Sequence, residues 1–113
     1  MSDATQEILS DIEKLTPYHE EISLIKKVKE LVQSGRIAKA LTKLKELHSL
    51  PTLSFHPFQK IEKDDVLAFI NYESALFYRI VYDSTAYINY LKITKLLAQS
   101  DEMNLLVDYQ FAT

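Results

Sequence analysis

The sequence predicts an all-α protein, and three observations carry that expectation. One glycine and three prolines in 113 residues leave few places for the chain to break. Apolar residues recur at three- and four-residue intervals over long stretches, which puts them on one side of a helix. Residues that cap helices stand where those stretches begin and end. At 47% hydrophobic and 26% charged, the chain has enough apolar mass for a core. The expected architecture is a single small domain, residues 1–113, of five or six helices around an antiparallel helical hairpin spanning Pro17 to His48.

The first helix is expected after Asp3, which has capping-box spacing to Gln6 and is followed by Ile8, Leu9, Ile12 and Leu15. Thr16 and Pro17 then read as a cap and a first-turn proline, with Glu20 and Glu21 where the helix dipole favours negative charge. The second helix buries Ile22, Ile25, Val28, Leu31 and Val32 and stops at Ser34-Gly35. The third carries Ile37, Ala40, Leu41, Leu44 and Leu47, and the short joint makes it antiparallel to the second. From Ser49 to about Lys63 prolines and polar residues interrupt the period, which predicts a loop pinned to the core by Leu50, Leu53, Phe55, Phe58 and Ile61. Asp64 and Asp65 open a fourth helix with Val66, Phe69, Ile70, Leu76, Phe77, Ile80 and Val81. Asp83-Ser84 is a break and a cap, and Tyr87, Ile88, Leu91, Leu96 and Leu97 continue a fifth helix to about Ser100. A β-hairpin over Phe77–Leu91 is the competing reading of a stretch so rich in Tyr, Ile and Val. Residues 101–113 form either an interaction tail or a closing helix.

The composition excludes several chemistries. With no cysteine there is no disulfide framework and no thiolate metal site. A single glycine, Gly35, cannot build a phosphate-binding glycine loop. The lack of cysteine favours an intracellular setting, cytoplasm or nucleus, and with apolar runs too short to span a membrane and an acidic N-terminus the protein is expected to be soluble and unprocessed. His19, His48 and His56 lack the spacing of a zinc helix. Glu62, Asp64 and Asp65 are explained by their place at a helix start, and no residue pattern presents a nucleophile. No catalytic, metal-binding or cofactor-binding residues are assigned, no small-molecule substrate is inferred, and the chain is not expected to be an enzyme.

Charge is unevenly placed. Residues 1–25 hold one basic and six acidic side chains (−5), residues 26–45 seven and one (+6), and residues 46–113 five and nine (−4), giving the total of −3. Lys26, Lys29, Arg36, Lys39 and Lys43 are candidates to contact phosphates or an acidic partner, against the reading of a solvated face. Tyr72, Tyr78, Tyr82, Tyr87 and Tyr90 crowd one region, and their spacing sends some rings off the core stripe. These five are the candidate partner-binding residues. The fourth and fifth helices are apolar on more than one side, so Tyr72, Tyr78, Tyr82 or Tyr87 is expected to meet a second chain, a copy or another subunit.

Two resemblances add to this. Leu24, Val28, Leu31, Gly35, Ala40, Leu44 and Leu47, with Pro51 after them, resemble a single tetratricopeptide repeat. A shift by that family's period of about 34 residues takes Gly35 to Phe69 and Ala40 to Ser74, so the resemblance implies one helical hairpin and no second copy. Leu41, Leu44, Leu47, Leu50-Pro51-Thr52, then Ile61, Val66 and Ile70 look like the Leu-x-x-Leu-x-x-Leu-Pro-x-Thr stretch and following helix of the N-terminal domain of transcription elongation factor TFIIS, also found in elongin A. That resemblance implies a helical bundle that binds short disordered segments of transcription regulators. This chain departs from the pattern at Thr52, one residue early, at Glu62 in place of a glycine, and in having no tryptophan.

The expected function is a non-catalytic protein–protein interaction module, a small adaptor or complex subunit. A nucleic-acid-associated or transcription-related regulator working through the basic hairpin is the alternative.

Overall fold

The computed structural model describes residues 18–54 and 61–112. Among them are five α-helices, α1 (His19–Gln33), α2 (Ile37–His48), α3 (Asp65–Ile80), α4 (Ser84–Leu97) and α5 (Asp101–Ala112), with a 3-10 turn at Pro51–Leu53 and no strand. The protein is all-α. The stretch expected as either helix or β-hairpin is the end of α3, a turn and α4, while residues 101–112 are a helix. The helix expected over Asp3–Leu15 and the Thr16-Pro17 cap lie outside the described residues. The chain divides into two compact units, residues 1–55 and 56–113, each taken by itself below.

In the first unit, α1 buries Ile22, Ile25 and Val28 and α2 buries Ala40, Leu44 and Leu47, the two helices packing on one another. Each buried Ile, Val or Leu side chain contributes about 1.5–3 kcal/mol by leaving water. Leu31 and Leu41, expected at the centre of these stripes, are only half-buried. The joint is a Schellman turn: Arg36 N–H donates to Leu31 O (2.8 Å) and Gly35 N–H to Val32 O (3.0 Å). That geometry requires a left-handed residue, and Gly35 supplies it at φ +79°. After α2 the chain is pinned back at Leu53, while Phe55 and Phe58, expected to do the same, lie outside the described residues. Leu53 is buried, the Ser54 hydroxyl donates to His48 O (3.1 Å), and the Thr52 hydroxyl donates to the buried Glu21 carboxylate.

The second unit begins with a strap. Asp64 caps α3, its carboxylate accepting from Val66 N–H (2.9 Å) and Leu67 N–H (3.1 Å). Asp65 reaches instead to the start of α5 and accepts from Gln99 N–H (2.7 Å) and Ser100 N–H (3.1 Å). Burial works to raise the Asp65 pKa, but these backbone bonds and the Ser100 contact outweigh it and hold the carboxyl below its usual value. Asp64 N–H donates to Leu97 O (2.8 Å) and Lys63 Nζ to Ala98 O (3.2 Å), so residues 63–65 tie down the end of α4. Ser100 caps α5 by accepting from Met103 N–H (3.2 Å).

Helix α3 is buried continuously from Leu67 to Ala75. This corrects the expectation that a chain of this size covers only one side of it. Two of its buried polar side chains bond carbonyls of their own helix: Asn71 Nδ2 donates to Leu67 O (2.8 Å) and Ser74 Oγ to Ile70 O (3.0 Å). Helix α4 packs on α3, and α5 packs on both, facing them with Met103, Val107 and Gln110.

Candidate functional site

The α3–α4 turn gathers four of the five tyrosines expected to bind a partner. The end of α3 repeats the geometry of the first hairpin, with Asp83 N–H donating to Tyr78 O (2.9 Å) and Tyr82 N–H to Arg79 O (3.2 Å). The left-handed position is occupied here by Tyr82, at φ +62°. A bulky side chain at that angle is a backbone outlier. Asp83 closes the turn by accepting from Ala86 N–H (3.1 Å) and caps α4.

Tyr82 is 92% exposed and Ile80 53%. Together with Leu76, Tyr78, Arg79 and Tyr87 they line an open groove of about 810 Å³. Beneath it the rings are fixed. Tyr78 and Tyr90 stack with centroids 5.4 Å apart and planes 4° from parallel, and Phe77 meets Tyr78 edge-on at 5.3 Å. Burial raises the pKa of Tyr78, aided by the Asp83 charge, and also that of Tyr90. Both hydroxyls are thereby held protonated and uncharged.

Tyr72 is a different case. It is buried, and Gln110 Nε2 donates to its hydroxyl (3.3 Å), so this ring offers no open surface. The same amide's Oε1 accepts from Arg79 Nη1 (2.9 Å) and from the Tyr87 hydroxyl (2.9 Å). Gln110 is therefore the keystone that positions Arg79 and Tyr87 at the groove. Its signal in the sequence was a polar residue three positions beyond Val107 on the Met103–Val107 stripe, a place otherwise reserved for apolar side chains.

The basic candidates are spread over two helices and a turn. Arg36 and Lys39 are exposed, Lys26 and Lys29 are half-buried and engaged with neighbours, and Lys43 pairs with Glu46 (3.3 Å). His48 is largely buried at the end of α2, and desolvation lowers its pKa to about 4. Among the described residues there is no cluster of three metal-ligating side chains, and no helix is long and apolar enough to cross a membrane. No protein family, curated protein sequence or solved structure matches this chain.

Proposed function

We propose that the chain is a non-catalytic protein-binding module, a small adaptor or complex subunit, that docks a partner through the α3–α4 turn. Tyr82 carries this reading. Its ring stands almost wholly in water on a left-handed backbone that costs an L-residue about 1–2 kcal/mol, where glycine would do. Neither solvation nor folding favours tyrosine there, and strain of this kind gathers at functional sites. Tyrosine is also the residue type that interfaces favour, with a large apolar ring and a polar tip. Ile80 extends the apolar surface, and the stacked Tyr78–Tyr90 pair gives it a rigid base.

Affinity capture with mass spectrometry, comparing the wild type with the Ile80→Ser/Tyr82→Ser double variant, tests the proposal. These two residues are chosen over Tyr78, whose removal would break the stack. A stoichiometric partner should be captured by the wild type and lost from the variant, with helical circular dichroism unchanged. An identical set of captured proteins would sink the reading. Binding to nucleic acid that falls steeply with salt and follows Arg36 and Lys39 would replace it with the alternative.

A further inference from the structure

The last helix carries two apolar stripes, and only one is used. Met103, Val107 and Gln110 face inward, while Leu105 (68%), Leu106 (39%) and Tyr109 (66%) are open to solvent. Glu102, also exposed, stands three, four and seven residues before them, so the four side chains form one row along the helix. Residues 101–113 contain Asp101, Glu102 and Asp108 and no lysine, arginine or histidine. Lys95 of α4 answers Asp108 at 3.0 Å, which leaves two acids exposed in the first turn.

We propose that the Leu105–Leu106–Tyr109 face is a docking site for a cationic amphipathic helix of another protein. The partner's apolar stripe would lie on these three side chains and its flanking lysines or arginines beside Glu102. Charge and apolarity together select this occupant. Pairing α5 with α5 of a second copy would bring six acids together, three from each helix, with no cation on either. The α1–α2 hairpin of a second copy has the cations, but no large apolar side chain of residues 18–54 is exposed to meet the leucines. The chain's own residues 1–17 carry Asp3, Glu7, Asp11 and Glu13 against a single Lys14, so they match the stripe but repeat its charge.

This surface goes beyond the tyrosine turn. Its test uses a purified peptide and mapped positions on α5, so its failure leaves the capture experiment at Ile80 and Tyr82 standing, and the reverse. The probe is a helical peptide of about 20 residues with leucine at i, i+3, i+4 and i+7 and lysine elsewhere. One control has the same composition in shuffled order, and a second has glutamate for lysine. Isothermal titration should detect binding of the first peptide alone, with amide chemical-shift changes centred on Glu102, Leu105, Leu106 and Tyr109. Leu105→Ser/Tyr109→Ser should weaken it by about tenfold or more and Glu102→Lys by about threefold or more, helicity being unchanged. No binding by the cationic peptide, equal binding of either control, shift changes elsewhere, or indifference to the double substitution would overturn the proposal. So would a concentration-dependent dimer that the same double substitution abolishes, or binding that emerges only after residues 1–17 are removed.

Discussion

The α1–α2 and α3–α4 joints use one hydrogen-bonding pattern with different residues at its left-handed position. At the first joint Gly35 takes φ +79° with no side chain to strain. At the second Tyr82 takes φ +62° and holds its ring in water. A helical pair therefore closes equally well with glycine, and the tyrosine is not there for closure. The surfaces differ in the same sense. Among the described residues every exposed large apolar side chain belongs to the second unit, at Ile80, Tyr82, Leu96, Leu105, Leu106, Tyr109 and Phe111. Over its described residues, 18–54, the first unit is closed and carries seven Lys and Arg against four Asp and Glu, whereas the second is open and aromatic.

Core truncation should have the largest effect and sets the scale for that comparison. Leu44→Ala in α2 and Leu91→Ala in α4 remove essentially sealed side chains, and each should cost about 3 kcal/mol in urea unfolding. The turns come next. An ideal Cβ at Gly35 meets nothing within 4 Å, so Gly35→Ala should cost about 1 kcal/mol through backbone conformation alone. Tyr82→Gly should have the opposite sign, gaining about 0.5–1 kcal/mol once the entropy of glycine is subtracted from the relieved strain. A Tyr82→Gly protein less stable than the wild type would break the comparison, because the ring would then contribute to the fold itself. The capture experiment with this same variant sharpens it: higher stability joined to loss of the partner is the signature of strain kept for binding.

The remaining expected effect is a pH dependence that originates in the first unit. The folded pKa of His48, about 4, lies below its unfolded value near 6.5, so the unfolded chain binds the proton more readily between the two. The stability this burial contributes is complete above about pH 6.5 and is lost as the pH falls toward 4. His48→Gln should flatten the fall in thermal midpoint over that range. Asp65, with its carboxyl held below the ordinary value, titrates only at lower pH, so its contribution is present at neutral pH and lost on stronger acidification; Asp65→Asn therefore reduces stability at neutral pH without changing the slope of the His48 window.

Much of this architecture was legible in the residues. Ser34-Gly35, Asp64 and Asp83 marked helix ends because a left-handed turn or a carboxylate accepting backbone N–H groups has few substitutes. The inward stripes of α1 and α2 followed from spacing alone. What misled was the density of apolar residues in α3. Their number exceeds what one side of a helix holds, yet α3 is buried continuously from Leu67 to Ala75, with Asn71 and Ser74 among them, each bonding a carbonyl one turn back. Hence Tyr72 was expected outside and lies inside, while Tyr78, Tyr82, Tyr87 and Tyr90 do surround the turn. Gln110 escaped notice because its three partners, Tyr72, Arg79 and Tyr87, come from 23 to 38 residues away in the chain.

The stacked pair beneath the groove also gives the molecule a built-in optical reporter. Seven tyrosines and no tryptophan make tyrosine the dominant near-ultraviolet absorber and emitter. Only Tyr78 and Tyr90 are face to face at 5.4 Å, among the described ring pairs, so the two transition dipoles couple most strongly there and each ring shields the protons of the other. Anything that settles on Ile80 and Tyr82 and shifts that stack will change the near-ultraviolet circular dichroism and the aromatic proton resonances. Occupancy of the turn can thus be followed on the unlabelled protein.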